Sequence, residues 1–231
     1  MKIGVIGAGR IGGNAARLWV AAGHEVLLSF SRDQARLEAD AAKQGERAKA
    51  GTVAEAAAFG DVVFLSVPWT QVDAALAEAG PLTGKIVIDT TNQFGREGAQ
   101  TLPDGQTAAE FNQRRMPGAR LVKSFNTLTA AFQASEAGRP AEQRVVLFMA
   151  GDDADAKQVV AGLIDDAGFA VADLGALADA GPMEAPRRAG ALYGEEYRPA
   201  EAELAVAALR AGQALPATPD YSDHSDHSDE G

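Results

Sequence analysis

Apolar and polar positions follow one another along this chain in two rhythms, one suited to buried strands and the other to amphipathic helices. Lys2–Gly7 (KIGVIG) is a short apolar run, and from Ile11 to Ala22 apolar residues return at helical spacing. Glu25–Phe30 (EVLLSF) reads as a second strand and Asp33–Gly45 as a second helix. Asp61–Val67 (DVVFLSV) and Lys85–Thr91 (KIVIDTT) are the next strands, with a helix over Thr70–Gly80 between them. Ala119–Asn126 and Arg144–Gly151 follow as strands, then a helix over Asp153–Gly168 and a last strand, Phe169–Gly175. Strands with nearly continuous apolar runs, separated by helices, predict a mostly parallel sheet covered on both faces. Right-handed crossovers make it doubly wound, an α/β fold of the Rossmann type.

The pattern divides the chain of 231 residues into three parts: an α/β body over 1–175, a short C-terminal helical segment over 176–216, and a tail over 217–231. The helical segment is too short for a second core. The tail, ATPDYSDHSDHSDEG, holds five acids and no base, and few apolar residues to offset its ordering entropy, so it is expected to be disordered. His224 and His227 repeat within it, and a solvated tail is favoured over a metal site. Net charge is −11, of which the body over 1–216 carries −6 once the tail's five acids are set aside. That balance argues against nucleic acid as a partner. No apolar run reaches the roughly eighteen residues needed to cross a bilayer. The absence of cysteine excludes thiol nucleophiles and Cys-based zinc sites. A strand beginning at the N-terminus leaves no room for a signal peptide, and a cytoplasmic protein is the expectation.

Gly7, Gly9 and Gly12 form G-x-G-x-x-G directly after a strand and at the opening of a helix, the context that a dinucleotide site requires. The pyrophosphate is expected against Ala8 and the amides of Arg10, Ile11 and Gly12, at the positive end of the helix. The second strand then departs from the NAD pattern. An acid usually ends it and binds the ribose hydroxyls. Here it ends in Ser29, Phe30, Ser31 and Arg32, with no acid before Asp33. A guanidinium can grip a 2′-phosphate bidentately, Ser31 adds a hydrogen bond, and Arg36 lies one helical turn on. NADP(H) is the expected cofactor.

The order of KIGVIGAGRIGG, SFSRDQ, LSVPW, VKSFNT and AGDDADAKQVV…DLG resembles the NADPH:coenzyme F420 oxidoreductases, from Met1 to about Pro186. F420 is a 5-deazaflavin hydride carrier. The resemblance implies that Gly7–Gly12, Ser31, Arg32 and the Val67–Pro68–Trp69 loop hold NADP, with Arg36 as a further basic contact, and that F420 is the second substrate. Two segments depart from the family pattern. DTTNQFG (Asp89–Gly95), in the stretch expected to line the deazaflavin pocket, is more polar, and ALYGEEYRPAEAEL replaces a mostly apolar terminal helix.

Ligands of an open α/β sheet gather at the carboxyl ends of the strands, where Ser66, Asp89, Asn92, Ser124 and Asn126 fall. Ser66 and Asn126 join the expected cofactor contacts, and Asp89 and Asn92 are the candidates for catalysis. Trp69 suits either a cover for the nicotinamide or loop packing. Lys123 suits an ion pair or a phosphate contact rather than acid–base work. His24, the only histidine in the body, falls at the amino end of the sheet and is expected to be structural. Reducing a ketone needs a proton donor. Hydride exchange between nicotinamide and deazaflavin needs two stacked rings and exclusion of water. The favoured function is therefore an NADP-dependent oxidoreductase exchanging hydride with F420. The alternatives are reduction of a flavin, quinone, imine or small carbonyl, and a non-catalytic NADP(H) sensor. A short C-terminal helical segment often docks on a partner subunit, which leans the expectation toward a homodimer.

Overall fold

The computed structural model describes residues 1–31, 33–218 and 220–221, so Arg32 and most of the acidic tail, His224 and His227 included, lie outside the described residues. The first half contains β1 (Lys2–Ile6), α1 (Arg10–Ala21), β2 (Glu25–Ser29), α2 (Gln34–Gln44), β3 (Ala48–Ala50), α3 (Val53–Phe59), β4 (Val62–Leu65), α4 (Val72–Ala79) and β5 (Ile86–Asp89). A two-residue hairpin, β6 (Phe94–Gly95) and β7 (Gly98–Ala99), precedes α5 (Ala108–Arg115) and β8 (Arg120–Lys123). Then come α6 (Ala130–Glu136), β9 (Val146–Gly151), α7 (Ala154–Asp166), β10 (Ala170–Gly175) and α8 (Pro199–Arg210).

The main sheet has eight strands in the order β10-β9-β8-β5-β4-β1-β2-β3. Every neighbouring pair is parallel except β8 and β9, which meet antiparallel with Val122 opposite Gly151 and Lys123 opposite Ala150. Strand order reverses between β1 and β4, the switch point of a doubly wound sheet.

Both faces are covered. On one, Trp19 of α1 is fully buried, lies edge-on to Phe64 and Phe125 at 4.9 and 5.7 Å, and donates its indole N–H to the carbonyl of Leu163 in α7 at 2.8 Å. Such edge-to-face pairs add to the free energy of burial alone. The other face collects α3, α4, α5 and α8 around Val63, Leu65 and Val87. Alanine dominates these contacts (Ala56, Ala57, Ala75, Ala109, Ala205), which lets the helices lie close to the sheet.

The segment over 176–216 is helical at the 3₁₀ turn Leu177–Met183 and at α8, with no helix between them. The intervening backbone is moored elsewhere. Leu192 and Tyr193 donate to the carbonyl of Pro182, Gly194 donates to that of Thr127, and Tyr197 accepts from Val146. Leu177, Met183, Leu192 and Tyr197 pack in the same core as the strands. Among the described residues, no helix is long and apolar enough to cross a membrane.

Candidate functional site

The glycine turn sits where the strand order reverses. Gly7 leaves β1 at φ 110°, and the amides of Gly7 and Ala8 both donate to the carbonyl of Ser29 at 3.1 Å, which ties the turn to the end of β2. A Cβ on Gly7 would stand 2.3 Å from the carbonyl oxygen of Ser66, and one on Gly12 only 2.0 Å from that of Gly7. Gly9 is different, because no protein atom lies within 4 Å of where its Cβ would be. It caps α1 without a side-chain hydrogen bond, and the first turn holds no acid. The opening amides of α1, those of Arg10, Ile11 and Gly12, have no acceptor within the helix. They present the helix's positive end to open space.

Two strands end in the same device. Ser29 closes β2 and donates to the carbonyl of Val5, and Ser124, just past β8, donates to that of Phe148, both at 2.9 Å. The phenylalanine after each, Phe30 and Phe125, adopts the left-handed conformation at φ 58° and 60°. For a bulky side chain that costs of order 1–3 kcal/mol and recurs at ligand sites. Here it turns the chain out of the sheet on both sides of the crevice. The hydroxyl of Ser31 bonds to the backbone of Asp33 at 3.0 and 3.2 Å. The Asp33 carboxylate, the acid nearest the end of β2, caps α2 by accepting from the Arg36 amide at 3.0 Å. Arg36 is exposed and pairs loosely with Asp40, Nε to Oδ2 being 3.5 Å.

Two clefts meet at Gly9, Phe30 and Ser31. One, of about 900 Å³, runs between α1 and α2 past Arg10, Asn14 and Arg36. The other, of about 540 Å³, lies between the glycine turn and the loops after β3 and β4, with Thr52, Ser66, Val67 and Pro68 in its wall. Gly9, Phe30 and Ser31 line both clefts, Ala8, Arg10 and Arg36 line the first, and Gly7 and Ser66–Pro68 line the second, whereas Ile11 and Gly12 line neither.

Trp69 is turned inward. It is 6% exposed, its indole N–H donates to Gln100 Oε1 at 3.2 Å, its ring lies 5.6 Å from Phe111, and the Arg115 guanidinium covers it at 4.7 Å. That is the loop-packing arrangement of the two considered. Asp89, a candidate for catalysis, is fully buried and engaged on every side. It pairs with Lys123 at 2.9 Å and accepts from Asn112 Nδ2 at 2.8 Å and from the Thr91 amide at 2.9 Å. Lys123 also donates to the carbonyl of Thr91. A buried ion pair survives only when further hydrogen bonds complete it, as these do. In this structure Asp89 fastens β5 to β8 and is not presented to the crevice.

Asn92 and Asn126 do meet, at the carboxyl ends of β5 and β8. Asn92 Nδ2 donates to the Asn126 carbonyl at 2.9 Å, and Asn126 Nδ2 donates to Asn92 Oδ1 at 3.1 Å and to the Met183 carbonyl at 2.7 Å. Because both Asn126 N–H bonds go to oxygens, its amide orientation is fixed, and its Oδ1 is buried with no donor. His24 lies at the opposite end of the sheet, bonded to Asp166 at 2.9 Å and to the N-terminal amine.

Other participants escaped the sequence reading. Asn112 of α5 reaches both Asp89 and Thr91. Glu184 is buried, and its carboxylate accepts the Ala108 and Ala109 amides at 2.7 and 2.8 Å. Helices α3 and α5 themselves were overlooked, although both open with a visible capping box, Thr52 with Glu55 and Thr107 with Glu110.

This geometry has known counterparts. Residues 2–93 match the family described as NADP oxidoreductase, coenzyme F420-dependent. The structure of the hypothetical protein SMa0349 from Sinorhizobium meliloti is 32% identical, with 86% of this chain and 95% of that one covered at a TM-score of 0.75. A candidate F420-dependent NADP reductase from Arthrobacter sp. FB24 is 31% identical, with 77% of this chain and 86% of that one covered at a TM-score of 0.65. The chain belongs to the F420-dependent NADP oxidoreductase family. Likeness extends to the metalloreductase STEAP3 of Rattus norvegicus, 30% identical over 184 residues, or 80% of this chain. The chain spans only 36% of that longer protein. Membership of the F420-dependent NADP oxidoreductases makes this an NADP-dependent oxidoreductase fold, with the glycine turn inside the matched region.

Proposed function

We propose that this protein exchanges a hydride between NADP(H) and the deazaflavin F420. NADP(H) would lie with its pyrophosphate on the amides of Arg10, Ile11 and Gly12 beside Ala8 and Gly9. Its adenosine would occupy the cleft walled by Ser66, Val67 and Pro68, and its 2′-phosphate would meet Ser31, Arg32 and Arg36. The residues fit such a ligand. The space at Gly9 admits a close approach, α1 lacks a cap of its own, and the unpaired Oδ1 of Asn126 could accept from a nicotinamide carboxamide. Asp33 is the nearest acid that could repel a 2′-phosphate, and its carboxylate is turned to the N-terminus of α2.

A bound NADPH would supply the hydride that reduces F420, with the accompanying proton drawn from solvent and NADP⁺ as the other product. The chain's part is to hold two rings in contact and exclude water. One observation carries this reading over imine or carbonyl reduction: Asp89, the carboxylate that closes β5, is spent on Lys123 and Asn112. Reduction of an imine or small carbonyl would fall to Tyr193 as donor. Burial pushes the Tyr193 phenol up, which makes it a poorer acid than a free one.

The test mixes full-length protein with NADPH and oxidised F420 and follows both absorbance bands. Loss of both together is expected. NADPH consumed with an imine or small carbonyl, but not with F420, would reverse the assignment. Tight NADPH binding without any turnover would favour a sensor.

A further inference from the structure

Helix α8 lies on the sheet with one face and leaves the other uncovered. Ala202, Ala205, Val206 and Ala208 are buried, whereas Ala200, Glu203, Leu204, Ala207, Arg210 and the C-cap Ala211 are exposed. The exposed set returns every three or four residues, so it forms a single stripe along the helix. Leu204, 63% exposed, is the most exposed large hydrophobic side chain among the described residues. The alanines around it keep the crest low enough for another helix to come within about 8–10 Å. Glu203 and Arg210 flank the crest on one side, two helical turns apart. Arg210 donates to the carbonyl of Asp173 at 3.0 Å and, like Glu203, has no ion pair among the described residues.

The adjoining edge of the sheet excludes an extended partner. β10 is the outermost strand, and Ala170 donates inward to Val145, which turns the backbone of Val171 and Asp173 outward. The Asp173 carbonyl is taken by Arg210. Past it, the Gly175 amide donates to the Asp173 carboxylate at 3.0 Å, and the Gly175 carbonyl accepts from Lys157 at 3.2 Å. An edge capped in this way resists strand addition. What remains between β10 and α8 is a groove of about 300 Å³, with Ala172, Glu203, Ala207 and Arg210 in its wall. This face suits a helix, and the helix with the matching pattern is α8 itself.

We propose that α8 is the docking face for a second copy of this chain, paired antiparallel with its own α8. A two-fold axis beside Ala207 brings Glu203 of each copy opposite Arg210 of the other, and Leu204 of each over Ala207 and Ala211 of the other. The stripe carries one acid and one base, so two chains of net charge −11 meet at a neutral surface. α8 has 12 residues and is about 18 Å long. A helix pair of that length buries less than the roughly 1,200 Å² of a stable interface, so the dimer exchanges with monomer at micromolar concentration. β10 stands five strands from β1, roughly 24 Å at the usual spacing, and both cofactor crevices stay open.

The test is sedimentation velocity on the full-length chain over a range of concentrations, with NADPH titration and melting temperature as checks on the fold. Wild type is expected to show a reversible monomer–dimer equilibrium. Leu204→Glu should weaken it about tenfold or more, since the central apolar side chains carry most of such a contact. Glu203→Arg and Arg210→Glu each set like charges face to face twice, and each should weaken it about tenfold. Combining the two reversals restores opposite charges and should bring the dimer back to within about threefold of wild type. NADPH affinity should be unchanged in all four variants. Leu204 and Glu203 are exposed, so their variants keep the fold and the test stands even if Arg210→Glu disturbs the bond to Asp173. Three results would each overturn the proposal: a monomer at every concentration up to about 100 µM, a dimer that Leu204→Glu leaves intact, or a double reversal no better than the singles while melting as wild type does.

Discussion

Gly9 and Gly12 lie three residues apart in one motif, and the structure separates what each does. Alanine at Gly9 meets no protein atom within 4 Å, and the backbone φ of −75° suits any residue. Alanine is a poorer helix cap than glycine by about 0.5–1 kcal/mol, and stiffening the unfolded chain returns about 0.4–1 kcal/mol. Gly9→Ala should therefore shift the melting temperature by no more than about 3 °C, since a chain of this size moves roughly 2–4 °C per kcal/mol. Its methyl group would occupy the space assigned to the pyrophosphate. Loss of one charge-assisted hydrogen bond, about 1.5–3 kcal/mol, weakens NADPH roughly 10- to 150-fold. Gly12→Ala drives its Cβ to 2.0 Å from the Gly7 carbonyl oxygen, backbone that cannot yield cheaply. Overpacking of that kind costs about 1–3 kcal/mol, so this variant should melt about 3–10 °C lower and bind poorly as well. Calorimetric melting paired with NADPH titration by isothermal calorimetry reads both quantities. If Gly9→Ala binds NADPH as tightly as wild type, no phosphate lies there and the placement of the cofactor is refuted.

Arg32→Ala should raise the apparent KM for NADPH about tenfold or more while barely moving that for NADH, and equal losses would remove Arg32 from the phosphate. Arg36→Ala should do less, because Arg36 is exposed and shared with Asp40. Lys123→Met strands Asp89 unpaired and should cost about 3–5 kcal/mol; pairing it with Asp89→Asn should recover part of that loss in urea denaturation. The Tyr221 phenol is pushed up to about 12, chiefly by burial, while its oxygen accepts the Arg198 amide. The folded protein then holds this proton more tightly than the unfolded chain, whose tyrosines titrate near about 10. The stability it contributes is present below about pH 10 and is lost as pH rises toward 12. Tyr221→Phe should remove that falling limb from a plot of melting temperature against pH.

The strands that could be read from sequence are those buried on both faces, because burial leaves an unbroken apolar run such as Val62–Leu65 or Val146–Gly151. The edge strand β3, Ala48-Lys49-Ala50, has no such run and was missed. The reversed direction of β9 was also hidden, since an apolar run has no polarity and the link from β8, which carries α6, is long enough for either sense. At the site, the glycine turn announced itself because its geometry is local to a few residues. The pairing of Asp89 with Lys123 did not, being set by β5 and β8 lying side by side although 34 residues separate the pair. The fate of Asp33 was nearer to legible, for an acid preceding a helix is a cap before it is anything else.

The mooring of the C-terminal segment at Ala185 has a consequence for the order in which the chain assembles. Asn92 and Gln93, just past β5, bond to Ala185 across separations of 93 and 92 residues. Contacts between such distant parts of the chain carry a large loop-closure cost and close late, so this end of the sheet is completed only when the C-terminal segment has come home.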